Sequence, residues 1–179
     1  ESFLTGIELS VFILTNGESY KILPTAKDYK RIGENNSGLN TGGMGAVSPV
    51  SFLNNALMKK IKTKIIEPTL NGLKEENIEY SGFLFFGLIN VNGEPFVIEY
   101  NVRLGDPETQ AIMPRIESDL LDLLQDMGSS STFEKKTLKL SHDTTTTVIL
   151  TSGGYPEKYE TGYEIFGIDK INECNLFHA

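Results

Sequence analysis

The 179 residues, 39% hydrophobic and 22% charged, suffice for one to two domains with a buried core. A formal net charge of -8 argues against nucleic-acid or anionic-membrane partners, although a few placed cations would still hold phosphate ligands locally. No apolar run approaches the roughly 20 residues of a spanning helix, no secretory leader is visible, and the single cysteine, Cys174, fits a reducing, cytoplasmic compartment.

Leu9 to Leu14 and Tyr20 to Leu23 are apolar runs around Asn16-Gly17, a tight-hairpin signal. Residues 33 to 49 hold five glycines among Asn, Ser and Pro and read as a loop. From Ser51 to Leu73, the residues Leu53, Leu57, Ile61, Ile65 and Ile66 recur at helical spacing, and Pro68 is expected to end or kink that helix. Phe83 to Val91 and Pro95 to Leu104 read as strands joined through Asn92-Gly93, and Ser118-Asp119 is placed to cap a short helix through Met127. The polar run Ser129–Thr132 marks a boundary, with residues 129–137 as a linker. Beyond it, Leu138 to Leu140 and Thr146 to Leu150 read as strands of a small second β unit over 138–179. Antiparallel hairpins interrupted by helices make an α+β protein.

The chemistry concentrates in Phe96 to Leu104 and the turn that follows. Strict alternation puts Phe96, Ile98, Tyr100, Val102 and Leu104 on a core face, and Glu99, Asn101 and Arg103 in one polar row. A carboxylate and an amide oxygen are hard donors suited to Mg²⁺, and an arginine one step on can fork onto a phosphate. A half-exposed strand with a polar wet face is the alternative reading of that row alone. The next residues, Gly105-Asp106-Pro107-Glu108-Thr109-Gln110, form an acid-rich Gly/Pro turn at a strand end, where functional loops commonly sit.

The octet R-L-G-D-P-E-T-Q resembles the signature of the phosphoribosylamine–glycine ligase (glycinamide ribonucleotide synthetase) family of ATP-grasp enzymes. Glu1 to Glu8 is similar to that family's E-x-F-L-x-G-x-E, Lys27-Asp28-Tyr29-Lys30-Arg31 to its Q-D-H-K-R, and Asn40 to Ala46 to its N-T-G-G-M-G-A. Gly153-Gly154-Tyr155-Pro156 and Phe177-His178-Ala179 extend the likeness to the last residue. The resemblance implies the large lobe of an ATP-grasp fold over 1–128, followed by the start of a β-rich C-terminal domain. It also implies ATP-dependent ligation of glycine to 5-phosphoribosylamine through glycyl phosphate, in purine biosynthesis. The chain starts inside an active-site segment and stops where a strand continues. It is therefore expected to be an inactive fragment whose partners are the missing domains of the same polypeptide.

By the same resemblance Glu99 and Asn101 hold Mg²⁺ or Mn²⁺, while Leu4 lines the adenine pocket and Glu8 takes the ATP ribose hydroxyls. Asp28, Lys30, Arg31, Asn40, Gly42, Gly43 and Glu108 touch substrate or phosphate, and Arg103 and Asp106 act in catalysis. Arg103 paired to Asp106 or Glu108, Leu4 in the core, and Glu8 as an exposed edge acid are the structural alternatives. Many ATP-grasp relatives carry another acid on the preceding strand; here Phe83 to Val91 has none, and Gly87 falls about where it would sit. His142 and His178 lack partners at zinc spacing. Another ATP-grasp ligase, biotin-carboxylase-like or from the purine pathway, is the competing enzyme reading, and a non-catalytic piece is the competing class.

Overall fold

A computed structural model describes residues 2–178. Glu1 and Ala179, which open and close two of the matched segments, lie outside the described residues.

β1 (Ile7–Thr15) and β2 (Tyr20–Ile22) pair antiparallel, as their apolar runs predict. Their connection is four residues long, with Thr15 opposite Tyr20. Asn16 Oδ1 accepts the N–H groups of Glu18 (3.1 Å) and Ser19 (2.9 Å), and Gly17 supplies the positive φ of 86°. The glycine-rich stretch expected as a loop is largely strand. β3 (Lys27–Asp28) pairs with β6 (Gly45–Ser48), and β4 (Arg31–Gly33) forms an exposed hairpin with β5 (Ser37–Asn40).

α1 (Asn55–Ile61) starts where Asn54 Oδ1 accepts the Leu57 N–H at 2.9 Å. Pro68 does not end this helix. A π-type segment, Lys62–Ile66, widens it just upstream, with the Glu67 N–H donating to the Lys62 carbonyl. α2 (Glu67–Glu75) then carries Pro68 in its first turn. A wider turn accommodates the ring and the missing N–H, and Thr69 Oγ1 donates to the Ile65 carbonyl at 2.7 Å. β7 (Gly82–Val91) and β8 (Glu94–Asn101) follow, joined by a two-residue turn in which Asn92 (φ 52°) and Gly93 (φ 85°) are both left-handed.

The main sheet is antiparallel in the order β2-β1-β7-β8. On one face Leu9, Val11, Ile13, Leu84, Phe86 and Leu88 pack against Leu57, Ile61, Ile65, Ile66 and Leu70 of the long helix. Each such fully buried side chain contributes roughly 1.5–3 kcal/mol. The other face is divided. At one end Phe12, Leu14 and Phe85 meet Ile112, Leu123 and Phe133 from three short helices, α3 (Glu108–Ile112), α4 (Leu120–Asp126) and α5 (Ser130–Lys135). At the other end the register places Glu8, Ser10, Gly87, Glu99 and Asn101, and here the face is polar.

Asp119 caps α4 as expected, its Oδ1 accepting the Asp122 N–H at 3.1 Å. The C-terminal third departs from expectation. Ser129–Thr132 leads into α5 rather than forming an irregular linker, because Phe133 is fully buried in the second core. Leu140 makes a single bridge to Ile116, and β9 (Thr145–Val148) pairs with β6. Residues 138–148 thus pair with Ile116 and β6 of the preceding structure.

Arg115 pins this junction. Its guanidinium is buried and each of its three nitrogens donates: Nε to the Asp143 carbonyl (2.8 Å), Nη1 to Ser48 Oγ (3.0 Å) and Nη2 to the Ser141 carbonyl (2.7 Å). Arg115→Met leaves those acceptors without donors. It is expected to cost on the order of 3 kcal/mol, lowering Tm by about 6–12 °C in thermal melts. A loss below about 2 °C would show that the acceptors find water instead.

Candidate active site

The polar half of the sheet is shaped by an irregularity in β8. Leu88 opposes Val97 but Gly87 opposes Glu99, so Ile98 is the extra residue of a β-bulge. The alternation expected from Phe96 to Leu104 therefore breaks at Ile98. Val97 packs on the α1–α2 core, and Tyr100 follows it to that side, edge-on to Phe86 with its hydroxyl 3.1 Å from Thr69 Oγ1. Phe96, opposite Ile89, shares the other face with Glu99 and Asn101. Because β8 is an edge strand, two of its residues expected in a core are open to solvent, Ile98 at 50% and Tyr100 at 51%; Val102, past the strand's end, is 71% exposed, while Leu104 packs against the second core as expected.

Glu99 folds across the middle of β7, where a Cβ on residue 87 would stand 2.8 Å from its Cγ. Glycine there makes room for the Glu99 side chain. Asn101 Nδ2 donates to Glu99 Oε1 at 3.2 Å, so the two expected metal ligands have their head groups together. Across the sheet, Lys30 Nζ lies 3.1 Å from Glu8 Oε2 and 3.6 Å from Asp28 Oδ2. Ser10 Oγ donates to Glu108 Oε1 at 2.9 Å, and both residues are buried. Gly105 admits that carboxylate, because a Cβ would fall 2.3 Å from Glu108 Oε2.

Glu8, Ser10, Asp28, Lys30, Gly87 and Glu99 surround a recess of about 10 Å³. Next to it opens a cleft of about 540 Å³ that shares Glu8, Asp28 and Lys30, adds Arg31 and Asn40, and reaches the tip of the β4–β5 hairpin. The charges are coupled. Burial raises the Asp28 carboxyl above its usual range; the Lys30 ammonium opposes this and Glu8 reinforces it. Burial likewise raises Glu108, with Asp28 adding to the rise and Ser10 and Lys30 working against it. Burial alone would lower Lys30, but Asp28, Glu8 and Glu99 outweigh it and hold the ammonium above its ordinary value.

Residues 1–109, which carry this whole arrangement, match the family model for the phosphoribosylglycinamide synthetase ATP-grasp (A) domain. The chain belongs to that family. Phosphoribosylamine–glycine ligase of Chlorobaculum tepidum is 42% identical over 182 residues, an alignment that covers all of this chain and 43% of that protein. A bifunctional purine biosynthetic protein of Pichia angusta is 43% identical over 185 residues, with all of this chain and 23% of that protein covered. The crystal structure of phosphoribosylamine–glycine ligase from Thermotoga maritima superposes with a TM-score of 0.77 at 36% identity, covering 89% of this chain and 40% of that one. An L-amino acid ligase from Bacillus licheniformis, 18% identical with a TM-score of 0.56 over 85% of this chain and 37% of that one, shares the fold. The fold is α+β, of the ATP-grasp type. This chain spans about two fifths of the length of the ligases it matches.

Not every residue expected in the synthetase-like site converges there. Leu4 is half-buried ahead of β1 and lines neither the recess nor the cleft. Arg103 does not extend the Glu99–Asn101 row, because β8 ends at Asn101 where the chain bends toward the Gly105 turn. It is exposed, with Nη1 on the Leu104 carbonyl at 2.8 Å, and among the described residues it pairs with no carboxylate. Asp106 accepts instead from Gln110 Nε2 at 3.0 Å. The loop amides expected to meet an anion are engaged: Gly42 N–H donates to Asn40 Oδ1 (3.0 Å) and Gly43 N–H to Thr41 Oγ1 (3.2 Å). Arg31 Nη1 holds the Gly38 carbonyl at 3.0 Å within its own hairpin. Ser10 and Gly105 are site residues that sequence reasoning passed over. The one signal was a lone serine inside an apolar strand.

Glu108 makes a pH test. Its folded carboxyl binds protons more tightly than the unfolded chain does, so stability falls as pH rises from the ordinary value of 4.5 through the raised one. Glu108→Gln removes that loss and keeps an acceptor for Ser10. The Tm of the variant relative to the parent is expected to rise between about pH 4 and about pH 7. An equal difference at both pH values would show that Glu108 is not held protonated by its surroundings.

Proposed function

We propose that this chain is the catalytic lobe of an ATP-dependent carboxylate–amine ligase that joins glycine to 5-phosphoribosylamine, giving glycinamide ribonucleotide, ADP and phosphate. The observation that carries the reading is Glu99, paired with Asn101 and laid over Gly87, sharing one recess with Lys30 in a chain of this family. A glycine carboxylate is a poor acylating agent, and phosphorylation by ATP to glycyl phosphate makes it one that the amine attacks readily. The protein's part is positioning and charge stabilisation.

The donor set fits a divalent cation. Glu99 and Asn101 bring a carboxylate and an amide side chain together on one face, a donor pair that suits Mg²⁺ or Mn²⁺ completed by phosphate oxygens and water. Bound there, the cation would offset phosphate charge and orient the terminal phosphoryl group. Glu8, in the cleft lining, is assigned to the ribose hydroxyls, and Leu4 is assigned to the adenine side by the family resemblance alone. Lys30 and Arg31 supply the cationic side toward phosphate, while Asp28 holds Lys30 in place. Arg103, with no carboxylate partner among the described residues, is available to the transferring phosphoryl group once it swings from Leu104. Asp106 and the glycine loop face the amine substrate. Glu108, buried behind Ser10, supports the turn from below.

The remaining contacts are assigned to the other domains of a polypeptide of the relatives' length, in the cytoplasm. The 179-residue chain alone is therefore expected to turn over nothing and to bind Mg–ATP more weakly than micromolar. Calorimetry checks this, and micromolar affinity would contradict it. In the complete ligase, Glu99→Ala is expected to lower glycine-dependent ADP release at least about a hundredfold, with Tm changed by less than about 2 °C. Unchanged turnover would remove the metal assignment. Comparing glycine plus 5-phosphoribosylamine with other acid and amine pairs separates this reading from other ATP-grasp ligases.

A further inference from the structure

The segment Gly153-Gly154-Tyr155-Pro156 contributes nothing to the recess or the cleft, yet its tyrosine reaches the site loop. Tyr155 Oη donates to the Thr41 carbonyl at 2.8 Å, 114 positions away along the chain. Thr41 is a junction. Its N–H (2.7 Å) and its hydroxyl (2.8 Å) both donate to the Lys30 carbonyl, and the same hydroxyl accepts the Gly43 N–H at 3.2 Å. One short chain of hydrogen bonds thus runs from the C-terminal segment to the residue bearing the site ammonium and to the glycine loop.

Both ends of this chain are braced. The Tyr155 ring meets Tyr159 edge-on, with centroids 5.3 Å apart, and the Tyr155 N–H donates to the Ser152 carbonyl at 3.3 Å. The start of the same segment is tied to the loop by the Ile149 N–H on the Met44 carbonyl, at 3.0 Å. On the loop's other side Gly43 (φ 150°) lies so close to Pro107 that a Cβ would stand 2.4 Å from its Cδ. Residues 41–43 are therefore gripped between Pro107 of the acidic turn and Tyr155 of the C-terminal segment.

We infer that Tyr155 is a positioning residue: its hydroxyl fixes the Thr41 peptide and, through it, the Lys30 backbone and the glycine loop that receives the phosphorylated amine substrate. The inference rests on the ligase reading for what the loop receives, but not for the clamp itself. Tyr155 touches no reacting atom. Losing its hydroxyl lowers the fraction of loop already arranged for binding, which raises KM and leaves the chemical step alone.

The test is Tyr155→Phe in the full-length ligase, with Tyr159→Phe as a control that keeps the aromatic contact and leaves Thr41 untouched. Loss of one neutral hydrogen bond predicts about fivefold faster hydrogen exchange at the Thr41 and Gly43 amides in the tyrosine variant, with β7 unaffected. It also predicts about a fivefold higher KM for 5-phosphoribosylamine with kcat within about twofold, and neither change in the control. Unchanged exchange overturns the clamp. Faster exchange with unchanged KM overturns the positioning role, and an equal response to Tyr159→Phe shows that the hydroxyl is not responsible. If the parent enzyme itself fails to ligate glycine, the proposed function falls while the exchange result still decides the clamp.

Discussion

The hydrogen bond from Ser10 to Glu108 is the contact on which the site's architecture depends. It joins β1 to the start of α3 at the line where the second sheet face changes from apolar to polar. A carboxylate this deeply buried needs a donor, since leaving it unpaired costs several kcal/mol. Ser10 supplies one and Gly105 gives it room. Once Glu108 is fixed, Pro107 is fixed beside Gly43, and the glycine loop takes its place against Lys30. Replacing Ser10 by an apolar residue of similar size would extend the hydrophobic half of the face by one position and remove the anchor of the turn.

Much of the scaffold was legible because local pattern and tertiary role agree. The apolar runs of β1 and β7 and the Asn92-Gly93 turn are decided within a few residues. So is the Asp119 cap, and each stands where its pattern predicts. The departures share a cause, namely partners remote in sequence. The bulge at Ile98 is set by how β8 registers on β7, and nothing in F-V-I-E-Y-N announces one residue too many. Pro68 reads as a breaker, yet a π-type segment upstream absorbs it because the helix must keep Ile66 and Leu70 on the same core. Residues 129–137 read as a linker by composition, but one phenylalanine in a polar run suffices to dock a short helix.

The site was legible in a different sense. The residues in the acidic turn and the paired Glu99 and Asn101 stood out as motif, and the structure brings Glu8, Asp28, Lys30 and Glu99 around one recess. The residues that make this possible carry no motif of their own. Gly87 and Gly105 act by lacking a side chain where a carboxylate must lie, and Ser10 by being slightly polar at one register position. Four carboxyl groups (Glu8, Asp28, Glu99 and Glu108) lie around the Lys30 ammonium, and burial first, with neighbouring carboxylates adding to it, raises the affinity of Asp28 and Glu108 for protons. An anionic nucleotide enters such a place only with cations, which is the electrostatic sense of the proposed metal.

The bulge in β8 has a consequence beyond the site. Among the described residues β8 is the outer member of its sheet, long and rich in Phe, Ile and Tyr. A straight strand of that composition would expose an unpaired backbone ladder, inviting strand addition by a second molecule and, from there, fibrillar aggregation. The extra residue at Ile98 throws that ladder out of step, and Glu99 and Asn101 stand polar guard beside it. The same local distortion that puts Glu99 at the recess leaves this edge poorly suited to strand addition.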